Sequence, residues 1–223
     1  MTTSSATRIG ARNTGKPPRK TYRHGDLRRA LLDAGIALAR EGGPDAVVLR
    51  EATRRAGVAP NAAYRHFASH QALFDAVRAH ALGALAQAIE REWAKALKVR
   101  GAAARARAMV AAVGTGYLGF AQKETGLFRT AFVFGEHDVQ VPPDPARTAS
   151  MGLNPFELLG AALDALVEAG ALPAERRPGA EYLAWSAVHG MALLIIDGPL
   201  RAAPVKARRA LGERLMRMVE LGL

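Results

Sequence analysis

From residue 25 onward, apolar positions recur at spacings of three and four, and runs of alternating apolar and polar residues are absent. That is the period of helices buried along one stripe. It predicts helices over 27–41, 49–56, a short one starting after Val58 and stopping near His66, and a long one from behind Ser69 into the mid-90s. Further helices are predicted over 102–123, 127–134, 155–169, 179–197 and 205–221. In the first, Leu27, Leu31, Ala34 and Leu38 share a face, Asp26 supplies an N-cap, and Gly42-Gly43 a stop. In the fourth, Phe74, Val77, Ala81, Leu85 and Ile89 share the inner side. Asn154-Pro155-Phe156-Glu157 reads as a helix start, with an N-cap, a proline at the first helical position and a glutamate at N3. Residues 135–153, rich in Pro, Asp and Gly, read as a long connection.

The expected fold class is all-α. Length allows one large domain or two small ones, since 223 residues with 49% apolar side chains can fill a real core. Cysteine is absent, which excludes disulfides, thiolate metal sites and a cysteine nucleophile. The longest apolar stretch, 187–196 with His189 and Gly190 forgiven, falls short of the roughly 20 residues that span a bilayer. The opening residues lack the apolar core of a signal peptide. A cytoplasmic protein without a membrane partner is expected.

Charge divides the chain unevenly. Of a net +11, residues 1–70 hold +8, from 13 basic and five acidic side chains, and the remaining 153 residues hold +3. Arg8, Arg12, Lys16, Arg19, Lys20 and Arg23 form an arm (residues 1–21 with its edge) free of acids and broken by glycines and Pro17-Pro18. Such an arm is expected to be disordered on its own. A solvated tail and an attraction to anionic membrane would read the same way, so the arm does not name the partner.

Residues 49–67, LREATRRAGVAPNAAYRHF, narrow the choice. Two short helices meet at Gly57, where a tight turn needs positive φ. Ala52 and Ala56 allow close approach, and Val58 plugs the corner. The third helix then offers Asn61, Tyr64, Arg65 and His66, side chains that read base edges and hold phosphates. A helix-turn-helix behind a basic arm points to duplex DNA.

The stretch from Tyr22 to Val77, with its Gly57-Val58, Tyr64-Arg65-His66-Phe67 and Leu73-Phe74 pattern, resembles the DNA-binding domain of TetR/AcrR transcriptional regulators. Far downstream, WSAVHG at Trp185–Gly190 followed by MALLIIDGPL resembles the C-terminal domain of a subgroup named for a Trp-His-Gly motif. The resemblance implies a helix-turn-helix DNA-binding domain of three helices over 22–70, and a helical ligand-binding and dimerisation domain over 71–223. It implies base contacts from Arg50, Asn61, Ala62 and Arg65, and phosphate contacts from Tyr64 and His66. The arm, ending in Arg23, would reach the backbone or an adjacent minor groove. Two departures stand out: His70, counted with the DNA contacts, occupies a usual lysine position at the start of the fourth helix, where the helix dipole still favours a phosphate but a neutral imidazole weakens the site, and Thr53 replaces an alanine between the packed helices.

The second half is less specific. Met109, Val113, Tyr117, Phe120, Phe128, Phe132, Met151, Phe156, Trp185 and His189 are candidate cavity residues for an apolar or amphipathic effector, although the same set would serve as ordinary core. Ser186 and His189 lack an orienting acid, and His66 with His70 lacks a third ligand. No enzyme activity, metal or cofactor is therefore expected. The helix over 183–196 is apolar on nearly every side, so one face should meet the core and the other a partner. By resemblance that partner is a second copy, with Leu211, Leu215 and Met218 contributing from the last helix. The whole reads as a dimeric, ligand-responsive regulator, by precedent a repressor, binding a palindromic operator with recognition helices about 34–36 Å apart. The alternative is an architectural DNA binder whose C-terminal domain only dimerises.

Overall fold

The computed structural model describes residues 24–133 and 144–223, and every regular element among them is helical. The nine α-helices run α1 His24–Gly42, α2 Leu49–Ala56, α3 Pro60–Ala63, α4 His70–Ala96, α5 Ala102–Lys123, α6 Thr125–Ala131, α7 Pro155–Glu168, α8 Ala180–Ile196 and α9 Val205–Gly222. The basic arm and Arg23 lie outside the described residues, as do residues 135–143 of the expected connection.

Helix α4 organises the molecule because its apolar stripe is continuous over 27 residues. Phe74, Val77, Ala81, Leu85 and Ile89 are all buried along it, as their spacing predicts. Its first turns pack on α1 and its later turns on α5, α6 and α7. One buried cluster consequently runs from Leu31 in α1 to Leu223 behind α9. Gly116 brings α5 against α4: a Cβ there would stand 2.6 Å from the Ile89 Cα.

Four boundaries differ from the sequence reading. Helix α1 begins at His24, so Asp26 lies in its first turn and does not cap it. Helix α3 ends at Ala63, where one carbonyl accepts from both the His66 and Phe67 N–H groups, and residues 64–66 continue as turns. Helix α6 starts two residues early and stops at Ala131; Phe132 closes it with its N–H on the Arg129 carbonyl, and Phe134 lies outside the described residues. The described end of the 135–153 connection is a fixed strap. A short 3-10 turn, Pro145–Arg147, is capped by Asp144. Beyond it, Glu90 of α4 accepts from the N–H and hydroxyl of Ser150 and the N–H of Met151.

Local signals account for the other ends. Gly57 closes α2 at φ 70°, ψ 30°, the left-handed turn inferred for it. Asn154 accepts from the Phe156 and Glu157 N–H groups while Glu157 returns to the Asn154 N–H, a complete capping box at α7.

Candidate functional site

The helix-turn-helix is assembled by α2, the Gly57 turn and α3 on a floor made by α1 and the start of α4. Ala52, Ala63 and Phe67 are buried beneath it. Thr53 is also buried, and its hydroxyl donates to the Arg50 carbonyl at 2.7 Å, so the departure from alanine leaves no unsatisfied group. Arg28 lies over the Phe67 ring, 4.9 Å from its centroid.

On the outer side, the arginines divide into two groups. Arg54 is held by Glu51 and Arg55 by Glu41, each through two short hydrogen bonds. Arg50, Asn61, Tyr64 and Arg65 are exposed, and their side chains make no hydrogen bond or ion pair with other described residues. Ala62 and His66 are half-buried beside them. Four of the side chains implied for DNA thus have no internal partner among the described residues. His70 differs: its Nε2–H donates to the Val47 carbonyl at 2.5 Å, tying α4 to the connection before α2.

A second site lies among α4–α8. A cavity of about 430 Å³ is lined by Leu82, Val113, Tyr117, Ala131, Phe132, Phe156, Leu159, Tyr182, Trp185 and Val188, together with Arg78, Arg147, Asn154 and Pro155. Of the ten candidates, Val113, Tyr117, Phe132, Phe156 and Trp185 converge here. Phe128 and His189 stand behind them in the ring cluster. Met109 packs on the core. Phe120 faces a separate groove between α4 and α5, and Met151 is exposed on the strap. The sequence reading missed both arginines. Arg78 carried a signal, because it falls on the apolar stripe of α4, four residues after Phe74. Arg147 carried none.

Behind the cavity wall, Trp185 and His189, one turn apart on α8, meet Tyr117 of α5. The Trp185 Nε1–H donates to the tyrosine oxygen at 3.1 Å. That oxygen lies 2.7 Å from His189 Nδ1. Burial pushes the His189 pKa down and the Tyr117 pKa up, so both groups stay neutral at neutral pH.

Among the described residues, no three His, Asp or Glu side chains gather to hold a metal, and no helix is long and apolar enough to cross a membrane. An unengaged donor face on a helix-turn-helix, carried by an all-helical second half, defines a DNA-binding protein of the helix-turn-helix class.

Sequence profiles narrow the class. "Bacterial regulatory proteins, tetR family" matches residues 31–77, and "Tetracyclin repressor-like, C-terminal domain" matches residues 110–219. The chain belongs to the TetR family of transcriptional regulators. No curated protein matches it. Among solved structures it is similar to a protein of unknown function from Rhodococcus sp. RHA1, at 27% identity over 89% of this chain and 98% of that one, with a TM-score of 0.66. It shares its fold with AmtR of Mycobacterium smegmatis, at 19% identity over 92% and 90% of the two chains and a TM-score of 0.50. The same holds for PfmR, a TetR family transcriptional regulator of Thermus thermophilus, at 23% identity over 84% and 97% and a TM-score of 0.50.

Proposed function

We propose that the protein is a homodimeric, ligand-responsive repressor in the cytoplasm, without catalytic activity, that binds a palindromic duplex operator and is released by a small effector. The observation that carries this reading is the separation of two sites bridged by α4 and α6. The donor face of Arg50, Asn61, Tyr64 and Arg65 belongs to the first 70 residues, and the aromatic cavity belongs to the remainder. Helix α6 touches both regions: Ala131 and its closing residue Phe132 line the cavity, while Gly126 lies so close to the Ala39 and Arg40 carbonyls of α1 that a Cβ would collide. Arg40 Nε donates to Glu124 Oε2 at 3.0 Å across the same contact. A ligand that favours one position of α6 thereby favours one position of α1 and the recognition helix above it, and it shifts DNA binding by its differential affinity for the two states.

The exposed stripe on α8 supports dimerisation. Leu183, Leu193 and Leu194 are open to solvent in the single chain, whereas Ala184, Val188, Ala192 and Ile195 of the same helix are buried. Among the described residues, no heavy atom lies within reach of a Cβ at Gly190, so none of them requires a glycine there. Packing against a second copy does, and Met218 of α9, 60% exposed, extends the apolar surface. Trp185, His189 and Gly190 then have distinct roles, which agrees with membership of the Trp-His-Gly subgroup.

The test is selection of bound sequences from a random duplex pool by the full chain, followed by footprinting. A two-fold symmetric site occupied by two copies, released by a small molecule, supports the reading. Binding without sequence preference replaces it with an architectural role.

A further inference from the structure

Two arginines line the cavity, and among the described residues no Asp or Glu lines it. Arg147 is half-buried, its Nε is buried, and its guanidinium makes no hydrogen bond or ion pair with the described residues. Withdrawing a cation from water without a counter-charge is unfavourable. Nor is the side chain carried there by a loose loop. The Ala146 N–H donates to Asp144 Oδ1 at 2.9 Å, Thr148 Oγ1 donates to the Pro145 carbonyl at 2.9 Å, and Glu90 holds the strap just beyond. Gly83 of α4 admits the Ala146 carbonyl into space that a Cβ would occupy. Arg78 Nη1 donates to the Val133 carbonyl at 2.8 Å, which fixes the second guanidinium at the same cavity.

We propose that the cavity takes an amphipathic carboxylate, its acid group held by Arg147, its apolar body among Phe132, Phe156, Tyr182 and Trp185. The planar fork of a guanidinium matches a carboxylate in shape and charge. Asn154, the cavity's amide, commits its oxygen to the α7 cap, so that acceptor is not available to repel the acid group. A volume of about 430 Å³ lies near the lower end of the roughly 300–1,000 Å³ of small-molecule sites, which suits an arylalkanoate or a medium-chain fatty acid. The assignment rests on the cavity being the effector site of the proposed regulator.

Calorimetry on the full chain, with Trp185 fluorescence as a second readout, compares 4-phenylbutanoate and decanoate with their neutral amides. Each acid is expected to bind about tenfold or more tightly than its amide. Arg147→Gln is expected to erase that preference while leaving amide affinity unchanged, which reports an intact cavity. Equal binding of acid and amide, or a preference that survives Arg147→Gln, overturns the carboxylate assignment and leaves a ligand cavity in place. Decyl phosphate binding more tightly than decanoate, with the same dependence on Arg147, overturns it in favour of a phosphate. Binding by none of the probes overturns it too, and operator release by any other small molecule then preserves the reading of the cavity as the effector site.

Discussion

The DNA-facing surface and the cavity treat their polar side chains in opposite ways. Arg50, Asn61, Tyr64 and Arg65 are exposed and unengaged by other described residues, and water satisfies them there, so the fold described does not depend on their bonding. Tyr117 is buried and Trp185 and His189 are half-buried beside it, and the tyrosine hydroxyl is bonded to both. A surface that recognises DNA can therefore be built from side chains that the fold does not need. The Tyr117 hydroxyl cannot be spared in that way, because it is bonded within the core as well as set in the cavity wall. Substitutions should consequently separate cleanly at the first site and mix stability with binding at the second.

The largest effect tests that separation. Replacing both Arg50 and Arg65 by alanine is expected to weaken operator binding by about 1–3 kcal/mol for each base-reading arginine removed, with the thermal midpoint unchanged. Fluorescence anisotropy and a melting curve measure the two; a lowered midpoint would show that these side chains also support the fold. At the cavity, Tyr117→Phe removes the hydroxyl that accepts from the Trp185 N–H and bonds His189 Nδ1. Urea denaturation should show a loss of about 1–3 kcal/mol, and unchanged stability would mean that the triad is not satisfied as described. Gly126→Ala acts between the regions. It forces α6 from the α1 carbonyls and is expected to cost about 1–3 kcal/mol by overpacking, while altering operator affinity without touching either site. If operator affinity stays the same, α6 does not set the position of the DNA-binding helices.

The smallest expected effect is a pH dependence. Burial holds His189, beside Tyr117, below its ordinary value of 6.5. It does the same for His80, with Arg40 lowering it further against Asp33 and Glu124. The unfolded chain takes up these protons first. Stability is therefore fully present above 6.5 and declines as pH falls through 6.5 toward the lower folded values. Melting temperatures across that interval should drop on the acid side, with a shallower slope for His189→Asn. An equal slope would assign the decline to other groups.

Local rules carried much of the fold. Gly57 could be read as a left-handed turn because only glycine accepts that conformation cheaply, and Asn154 with Glu157 formed the capping box that their three-residue spacing implies. The buried stripe of α4 followed from its period. Helix ends were less legible: α1 extends past Asp26 and α3 stops at Ala63, since neighbouring turns compete for the same backbone groups. The aromatic share of the cavity was partly visible as bulky residues on predicted helices. Arg147 was not, because its neighbours show no apolar period. Its place depends on Glu90 capturing a strap 60 residues away.

By itself, the sequence determined the helical class and the helix-turn-helix, both of which follow from contacts between residues close in the chain. Tertiary structure alone decided which aromatics line the cavity and which stand behind it. It also decided that Trp185 and His189 share the hydroxyl of Tyr117, and that two arginines from distant segments face the same cavity. Those pairings depend on how helices far apart in sequence stack, and no local period or spacing encodes that.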